Sequence, residues 1–274
     1  MKYGTILRLS NPQSALQEFE KLKNKGFDCC QLVYKPQEYT IADAEIIKTA
    51  VMQSGIKIQA FFAGFRDNHT KWNLFSDFKD AGINSKQYGE ERVKFIKQAA
   101  SFCGMIGIEN MLIHAGFVAN DPFCEDYIRM RDIVFDVADF AKRNHVNLLL
   151  ETGGESPITL LRLIEDVGTD NVFVNIDTAN IIMYGFGNPV DAVFTLKDYI
   201  KSVHIKDGLP PVNTKELGKE TELFEGFVDF KRFFALIQSF KINVPFIIER
   251  EIQDGKTEEM LSDLLNKVKS MITE

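Results

Sequence analysis

Eight short apolar segments alternate with longer amphipathic segments along the chain, and this alternation constrains the fold more than any other feature. The apolar segments are nearly continuous and do not alternate apolar with polar residues. That pattern is typical of parallel strands that are covered on both faces. The predicted strands begin near Tyr3, Cys29, Ile56, Asn110, Asn147, Val172, Ile200 and Pro245.

Helix signals lie between these strands. The first helix is predicted to begin with Asn11 as its N-cap and Pro12 at its first position, and to end at Gly26. The second is predicted to begin at Thr40, because Asp43 completes a capping-box-like start. Strand and helix signals therefore follow one another regularly, as βα units do.

Eight βα units within 274 residues are the size of one (β/α)8 barrel. We therefore predict an α/β fold in which residues 1–274 form a single (β/α)8 TIM-barrel domain. The competing fold is a doubly wound open sheet, which places a glycine-rich phosphate loop after its first strand. Here the first strand is followed by the residues RLSNPQ at 8–13, which contain no glycine, so the barrel is favoured.

Two predicted βα-loops are too long to be plain turns, one at about 63–85 and one at about 205–228. Long connections in a compact domain usually carry function. In a barrel, both would lie at the face where the strands end, which is where active sites of this fold are found.

The composition and charge of the chain limit the classes of partner that it is expected to bind. The chain has a formal net charge of −7 and a pI of about 5.3, which argues against nucleic acid or an anionic membrane as the main partner. No secretory signal or membrane-spanning segment is recognised, so a cytoplasmic protein is expected. The four cysteines show no metal-binding spacing and are interpreted as reduced structural residues. The oligomeric state stays open, with a homo-oligomer among the possibilities.

Four of the apolar segments end in residues that bind metals. Glu151, Asp177, His204 and Glu249 end the fifth to eighth predicted strands, with steps of 26 and 27 residues between the first three. Each alone is better explained as a capping or salt-bridged residue. Four at consecutive strand ends reverse that judgement, because the strands of a barrel deliver their last residues to one mouth.

Three carboxylates brought together repel one another, and a divalent cation removes the repulsion. Three oxygen donors and one imidazole suit a hard or borderline metal better than a thiolate-type site does. We predict one divalent ion, with Mn²⁺ preferred and Mg²⁺, Co²⁺, Fe²⁺ or Zn²⁺ as alternatives. Such an ion holding two adjacent sugar oxygens would act as a Lewis acid for enediolate formation.

These residues resemble a known family. The pattern Glu151, Asp177-Thr178, His204-Ile-Lys-Asp207 and Glu249, with LIHAGF at 112–117 and ETGGES at 151–156, is similar to the xylose isomerase-like TIM-barrel superfamily over essentially the whole chain. That group includes sugar isomerases, ketose 3-epimerases, inosose dehydratases and apurinic/apyrimidinic endonucleases. The motifs are specific for the superfamily and only weakly informative about the substrate.

The resemblance implies a site and a mechanism. Glu151, Asp177, His204 and Glu249 would bind the metal, and the two glutamates would also act as the acid/base pair on opposite faces of a sugar or sugar phosphate. The implied activity is metal-dependent isomerisation or epimerisation through an enediolate.

The chain departs from the family pattern at three positions. Asn180 stands where many members have a histidine, three residues after the metal-binding aspartate; it can hydrogen-bond substrate oxygens but cannot carry a proton. Pro210 replaces an arginine common in ketose 3-epimerases, and Phe224 replaces a glycine. The first two departures count against free-ketose epimerisation as the specific activity.

Further residues are candidates for substrate binding. Lys206 should share a face with His204 and hold a hydroxyl or a phosphate, unless it is a solvated loop lysine. His114 ends the fourth strand and is predicted to orient the substrate, the alternative being a purely structural histidine. Glu155 could bind a sugar hydroxyl or cap the following helix.

Aromatic residues follow the third predicted strand. Phe65 and Trp72 are the candidates for packing against the apolar face of a sugar. With 23 phenylalanines in the chain, core packing is the competing explanation for Phe65.

Three other functions compete with an isomerase or epimerase. An inosose-type dehydratase uses the same first proton transfer but loses water. An apurinic/apyrimidinic endonuclease is disfavoured, because such enzymes use many histidines and bind a polyanion, whereas this chain has four histidines and a negative charge. A non-catalytic sugar-binding barrel should lack one of the four ligands, and all four are present.

Overall fold

A computed structural model describes residues 1–65, 67, 69, 80–252 and 257–273. Eight parallel strands close into a barrel with helices around it, so the predicted (β/α)8 fold is confirmed. The ring order is β1, β10, β7, β6, β5, β4, β3 and β2. The barrel strands are Tyr3–Leu9 (β1), Cys29–Tyr34 (β2), Lys57–Phe62 (β3), Asn110–Ile113 (β4), Asn147–Glu151 (β5), Val172–Asp177 (β6), Ile200–Ile205 (β7) and Phe246–Ile248 (β10).

The helices run between the strands and cover the outside of the barrel. They are Ala15–Asn24 (α1), Ile41–Ser54 (α2), Gly89–Ile106 (α3), Glu125–Arg143 (α4), Pro157–Val167 (α5), Asn180–Met183 (α6), Pro189–Leu196 (α7), Phe230–Ser239 (α8) and Thr257–Thr273 (α9).

Two helix starts follow the predicted capping chemistry. The side chain of Asn11 accepts a hydrogen bond from the Ser14 backbone N–H, but the turn it caps is a short 3₁₀ helix that leads into α1. Thr40 caps α2 by accepting from the Asp43 N–H at 3.2 Å. Both caps satisfy backbone donors that a helix start otherwise leaves without a partner.

The core has two parts. A large apolar cluster lies between the strands and the helices. A small one fills the middle of the barrel, where Ala60, Leu112 and Leu149 pack with Phe62 and Phe173. The barrel is therefore a packed interior and not a pore.

The predicted loop at about 205–228 contains a β-hairpin that the sequence did not reveal. Asp207–Leu209 (β8) and Lys219–Thr221 (β9) pair antiparallel over the barrel mouth. The Asp207 carboxylate accepts hydrogen bonds from the backbone N–H groups of Gly226 and Val228. A Cβ at Gly226 would lie 2.2 Å from Asp207 Oδ1, so only glycine allows this approach.

Phe224 explains one departure from the family pattern. Its φ of 72° lies in the left-handed region, which glycine adopts without strain and phenylalanine adopts at a cost. The Phe224 ring packs against Phe230, with 4.9 Å between the ring centroids. That packing offsets part of the backbone cost, and the loop keeps the conformation for which a glycine would be favoured.

Most of the loop predicted at about 63–85 lies outside the described residues. The part that is described is held by Arg92 of α3, whose guanidinium is buried. Arg92 Nη2 lies 2.8 Å from Asp67 Oδ1, and Arg92 also donates to the carbonyl oxygens of Asp80 and Gly82. One buried cation therefore fastens this connection to the barrel.

Candidate active site

Four strand ends deliver the candidate metal ligands to the mouth of the barrel. Glu151 and Asp177 are the last residues of β5 and β6, His204 is the penultimate residue of β7, and Glu249 directly follows β10. In the ladder, Asp177 pairs with His204, and His204 pairs with Ile247. The four side chains are thus fixed by adjacent strands of a closed sheet.

The four side chains converge. One ligand atom from each of Glu151, Asp177, His204 and Glu249 lies within 4.8 Å of all the others. His204 Nδ1 is 3.0 Å from Glu249 Oε2, 3.3 Å from Glu151 Oε1 and 3.6 Å from Asp177 Oδ2. All four residues are buried, so this buried group of carboxylates and imidazole can hold a metal ion.

Two carboxylate oxygens of the group are left over. Glu151 Oε2 and Asp177 Oδ2 are buried and accept no hydrogen bond from the described residues. His114 Nε2 and Lys206 Nζ lie 3.2 Å and 3.1 Å from them, but neither contact is aligned as a hydrogen bond. Buried oxygens of this kind are costly unless a cation coordinates them, so the donor set fits a divalent ion.

Lys206 lies inside the cluster and not in solvent. Its Nζ is 3.1 Å from Asp177 Oδ2, 3.1 Å from Glu249 Oε2 and 3.3 Å from Glu251 Oε2. The alternative of a solvated loop lysine is wrong, because the side chain is 1% exposed. Its ammonium contacts carboxylates; a contact with substrate stays a prediction.

The pKa shifts follow from this crowding. Burial alone would lower the pKa of His204, but Glu249 and Glu151 outweigh it and raise that pKa well above its ordinary value. Burial would raise the pKa of Asp177, yet the Lys206 ammonium and His204 hold it well below its usual range. Burial likewise opposes the charge on Lys206, and Asp177 and Glu249 raise its pKa in spite of it.

The second ring nitrogen of His204 has a partner that the sequence reasoning missed. His204 Nε2 lies 2.7 Å from Gln31 Oε1, and Gln31 Nε2 donates to Gln59 Oε1 and Ser202 Oγ at 3.1 Å each. With the Gln31 oxygen accepting from Nε2, Nδ1 is the ring nitrogen that faces the carboxylates and that would bind an ion once it is deprotonated. The sequence signal that could have revealed this partner is a glutamine within the otherwise apolar strand β2.

His114 and Asn180 both contact Glu151. Asn180 Nδ2 donates to Glu151 Oε1 at 3.2 Å, and its backbone N–H donates to Asp177 Oδ1 at 2.7 Å. His114 directly follows β4, and its Nε2 lies 3.2 Å from Glu151 Oε2. Both predicted substrate residues therefore reach the site and frame one of the two candidate catalytic glutamates.

Glu155 does not cap the following helix, since Ser156 accepts the Thr159 N–H at the start of α5. Glu155 is buried, and its Oε1 accepts no hydrogen bond from the described residues. Burial raises the pKa of Glu155 to about 8, and the nearby charge of Glu151 contributes to the rise. A buried carboxyl group thus stands beside the cluster.

Of the two aromatic residues predicted to pack against a sugar, Phe65 and Trp72, the structure describes only Phe65. Phe65 is buried, and Arg92 Cζ lies 4.7 Å from the centroid of its ring. Phe65 does not line the mouth cavity. Trp72 lies outside the described residues. Phe62 is the aromatic residue at the site, with its ring centroid 6.1 Å from that of His204 and 5.6 Å from that of His114.

A cavity of about 360 Å³ adjoins the cluster through His114 and Asn180, which line the cavity and contact Glu151. Its lining includes the site residues Phe62, His114 and Asn180, and also three that sequence reasoning missed, Arg8, Lys35 and Tyr184. A further cavity of about 430 Å³ lies at the opposite end, around strand starts such as Lys57 and Asn110, where this fold does not place catalytic groups.

In the described part of the chain, no helix is long and apolar enough to cross a membrane.

Comparisons with known proteins agree with this architecture. A family model described as Xylose isomerase-like TIM barrel matches residues 19–270. A comparison with curated proteins finds no match.

Solved structures superpose along almost the whole chain. A xylose isomerase domain protein from Planctomyces limnophilus has a TM-score of 0.88 at 25% identity, covering 98% of this chain and 96% of that one. The 3-keto-D-glucoside 4-epimerase YcjR from E. coli has a TM-score of 0.70 at 16% identity, covering 98% of this chain and 99% of that one. A xylose isomerase-like TIM-barrel protein from Mycobacterium smegmatis, in complex with magnesium, has a TM-score of 0.67 at 17% identity. The match covers 96% of this chain and 90% of that one.

Proposed function

This chain belongs to the xylose isomerase-like TIM-barrel family, and from that premise we propose that it is a divalent-metal-dependent isomerase or epimerase of a sugar or sugar phosphate. The observation that carries the proposal is the convergence of Glu151, Asp177, His204 and Glu249 within 4.8 Å, buried beside a cavity that His114 and Asn180 line. Similarity to a sugar epimerase of the same fold supports the class of reaction.

Glu151, Asp177, His204 and Glu249 would hold the ion, since they are the buried oxygen and imidazole donors with carboxylate oxygens to spare. Mn²⁺ is preferred, and Mg²⁺ is a strong alternative because a relative of the same fold was solved with magnesium. When bound, the ion supplies Lewis-acid stabilisation of negative charge on substrate oxygens.

Glu151 and Glu249 are proposed as the acid/base pair. They come from β5 and β10, which β7 and β6 separate on one side of the ring, so they approach a substrate from different directions. Glu249 Oε2 lies near Lys206 and His204, whereas Glu151 lies near Asn180 and His114. One carboxylate would remove the proton next to the carbonyl, and the other would return a proton.

The neighbouring side chains are proposed to bind the substrate. His114 and Asn180 line the cavity beside Glu151, where they can hydrogen-bond sugar hydroxyls. Lys206 neutralises the cluster and stands close enough to assist a developing oxyanion. Phe62 is a better candidate than Phe65 for packing against the sugar, because its ring faces the cavity.

The size of the cavity supports a small substrate. A volume of about 360 Å³ lies at the lower end of the range for small-molecule sites. The net charge of −7 opposes a nucleic-acid substrate. A monosaccharide or its derivative is therefore the proposed partner.

The proposal is tested by incubating the Mn²⁺-loaded protein with a panel of ketoses and ketose phosphates and analysing products by NMR. Conversion to an isomer or epimer of equal mass, which stops when the metal is chelated, is expected. Loss of water from a cyclic ketone would instead identify a dehydratase. No conversion of any panel member under metal saturation would contradict the proposal.

A further inference from the structure

Two cations stand on one side of the mouth cavity. Arg8 is the penultimate residue of β1, and Lys35 directly follows β2; both line the cavity. In the ring of eight strands, β1 and β2 lie opposite β5 and β6, which carry Glu151 and Asp177. Arg8 and Lys35 therefore stand across the ring from Glu151 and Asp177, whereas Glu249 follows β10, the neighbour of β1.

Among the described residues, neither cation has an ion-pair partner. Arg8 and Lys35 form no ion pair and no hydrogen bond with another residue in the part of the chain that the structure describes, although the chain has 39 acidic and 32 basic residues. Glu251 is the acidic residue in the described cavity lining, and Lys206 engages it at 3.3 Å. An acidic protein thus keeps two positive charges at the mouth that have no ion-pair or hydrogen-bond partner among its described residues.

The position of Lys35 depends on a glycine. A Cβ at Gly64 would lie 2.4 Å from Lys35 Cε and 2.5 Å from Lys35 Nζ, so the lysine side chain lies directly across this glycine. Partial burial there, together with the Arg8 guanidinium, lowers the pKa of Lys35; Asp67 opposes that shift. The two like charges repel each other, and a bound anion would relieve the repulsion.

Lys206 cannot take that role without breaking other contacts. Its ammonium is already in contact with Asp177, Glu249 and Glu251. An anionic substituent placed there would also meet those three carboxylates. The charge of a substrate is better matched on the Arg8 side.

We propose that Arg8 and Lys35 bind an anionic group of the substrate, a phosphate ester or a carboxylate, at the end of the sugar remote from the reacting carbons. The inference rests on the proposed function, because it assumes that the reacting carbons lie over the carboxylate cluster. A guanidinium and an ammonium would supply charge-assisted hydrogen bonds to the anion.

The test is calorimetric titration of the Mn²⁺-loaded protein with three probes that share one carbon chain: a hexulose, its 6-phosphate and the corresponding hexuluronate. At least one anionic probe should bind about tenfold or more tightly than the neutral hexulose. Preference for the phosphate or for the uronate identifies the source of the anion. Equal affinity for all three probes would overturn the inference.

Variants locate the effect. Arg8→Gln and Lys35→Gln should each weaken binding of the preferred anion by about tenfold, and so reduce its advantage over the hexulose. The matched controls are Arg143→Gln and Lys142→Gln at the C-terminal end of α4, where the side chains are exposed. Equal losses in the control and test variants would overturn the assignment to Arg8 and Lys35.

The outcome separates this inference from the proposed function. Metal-dependent turnover of hexuloses without any preference for anions would leave the proposed function standing and refute the anion site. Anion-selective binding that depends on Arg8 and Lys35, with no turnover of any probe, would support the anion site and count against the isomerase or epimerase.

Discussion

Lys206 Nζ lies 3.1 Å from Glu249 Oε2, so a buried ammonium group contacts the carboxylate cluster. The same atom is 3.1 Å from Asp177 Oδ2. In the protein without metal, this buried cation offsets repulsion among the acidic residues. If a metal ion is bound, the ion and the Lys206 ammonium contact the same carboxylates. Lys206 then stabilises the metal-free protein but weakens the binding of the ion.

The first prediction concerns that competition. Lys206→Met should destabilise the metal-free protein by about 3–5 kcal/mol, because it leaves buried carboxylates without their cation. The same change should tighten Mn²⁺ binding, since a positive charge beside the ion is removed. Thermal unfolding with and without Mn²⁺ measures both effects. A variant whose Tm rises with Mn²⁺ by less than that of the unaltered protein would contradict this role.

The second prediction concerns Gln31 as a positioning residue for His204. Gln31→Leu should weaken Mn²⁺ binding by about 10–100-fold, because the Nε2 contact that orients the imidazole is lost. Gln31→Glu keeps an acceptor oxygen and should restore much of the affinity. Gln17→Leu, at an exposed position of α1, is the control. Unchanged affinity in Gln31→Leu, measured by calorimetry, would remove Gln31 from the site.

The third prediction concerns the buried carboxyl of Glu155. Its pKa of about 8 lies above the ordinary 4.5, so the folded state holds a proton that the unfolded state releases. The stability associated with that proton is present below about pH 4.5 and is lost as the pH rises through 8. Glu155→Gln should therefore gain stability relative to the unaltered protein, by up to a few kcal/mol between pH 5 and 8. Denaturant unfolding of metal-free protein measures the difference, and parallel pH profiles would refute it.

The fourth prediction concerns Arg92. Arg92→Met should cost about 3–5 kcal/mol, because Asp67 and two backbone carbonyls lose a buried partner. Arg131→Met removes an exposed pair with Asp132 and should cost about 0–1 kcal/mol. Urea unfolding at neutral pH compares the two variants. Similar costs would show that the Arg92 contacts do not fasten the connection after β3.

The sequence predicted the barrel well because its signals are local. All eight barrel strands begin within one residue of the predicted positions, from Tyr3 to Phe246. Short, nearly continuous apolar runs set the strands, and capping residues such as Thr40 set helix starts. The hairpin of β8 and β9 escaped prediction because strands of three polar-leaning residues carry no usable periodicity.

Only those site residues that lie at strand ends could be predicted from the sequence. Spacing alone brought Glu151, Asp177, His204 and Glu249 to one mouth, but the burial of Lys206 depends on tertiary packing beyond the end of β7. Of the aromatic residues near β3, the strand residue Phe62 faces the site, whereas Phe65, in the connection that follows, packs under Arg92. Side-chain direction outside regular structure is not set by local sequence.

The acid/base assignment gives the fifth prediction. Glu249→Gln and Glu151→Gln each keep an oxygen donor and lose a base. Mn²⁺ should bind more weakly but measurably, while turnover at saturating Mn²⁺ falls about 10²–10⁴-fold. Metal calorimetry and an NMR product assay are compared for each variant. Near-normal turnover with metal bound would mean that the altered glutamate is a ligand only.

The most direct measurement is deuterium incorporation from D₂O into a sugar substrate, followed by NMR with and without Mn²⁺. Deuterium should appear at the carbon next to the carbonyl, in step with isomer or epimer formation, only when metal is present. Asp177→Ala, which removes a ligand but neither proposed base, should lower incorporation in proportion to metal occupancy. Isomer or epimer formation without deuterium at that carbon, or exchange that continues unchanged after the metal is removed, would contradict metal-dependent proton transfer at this cluster.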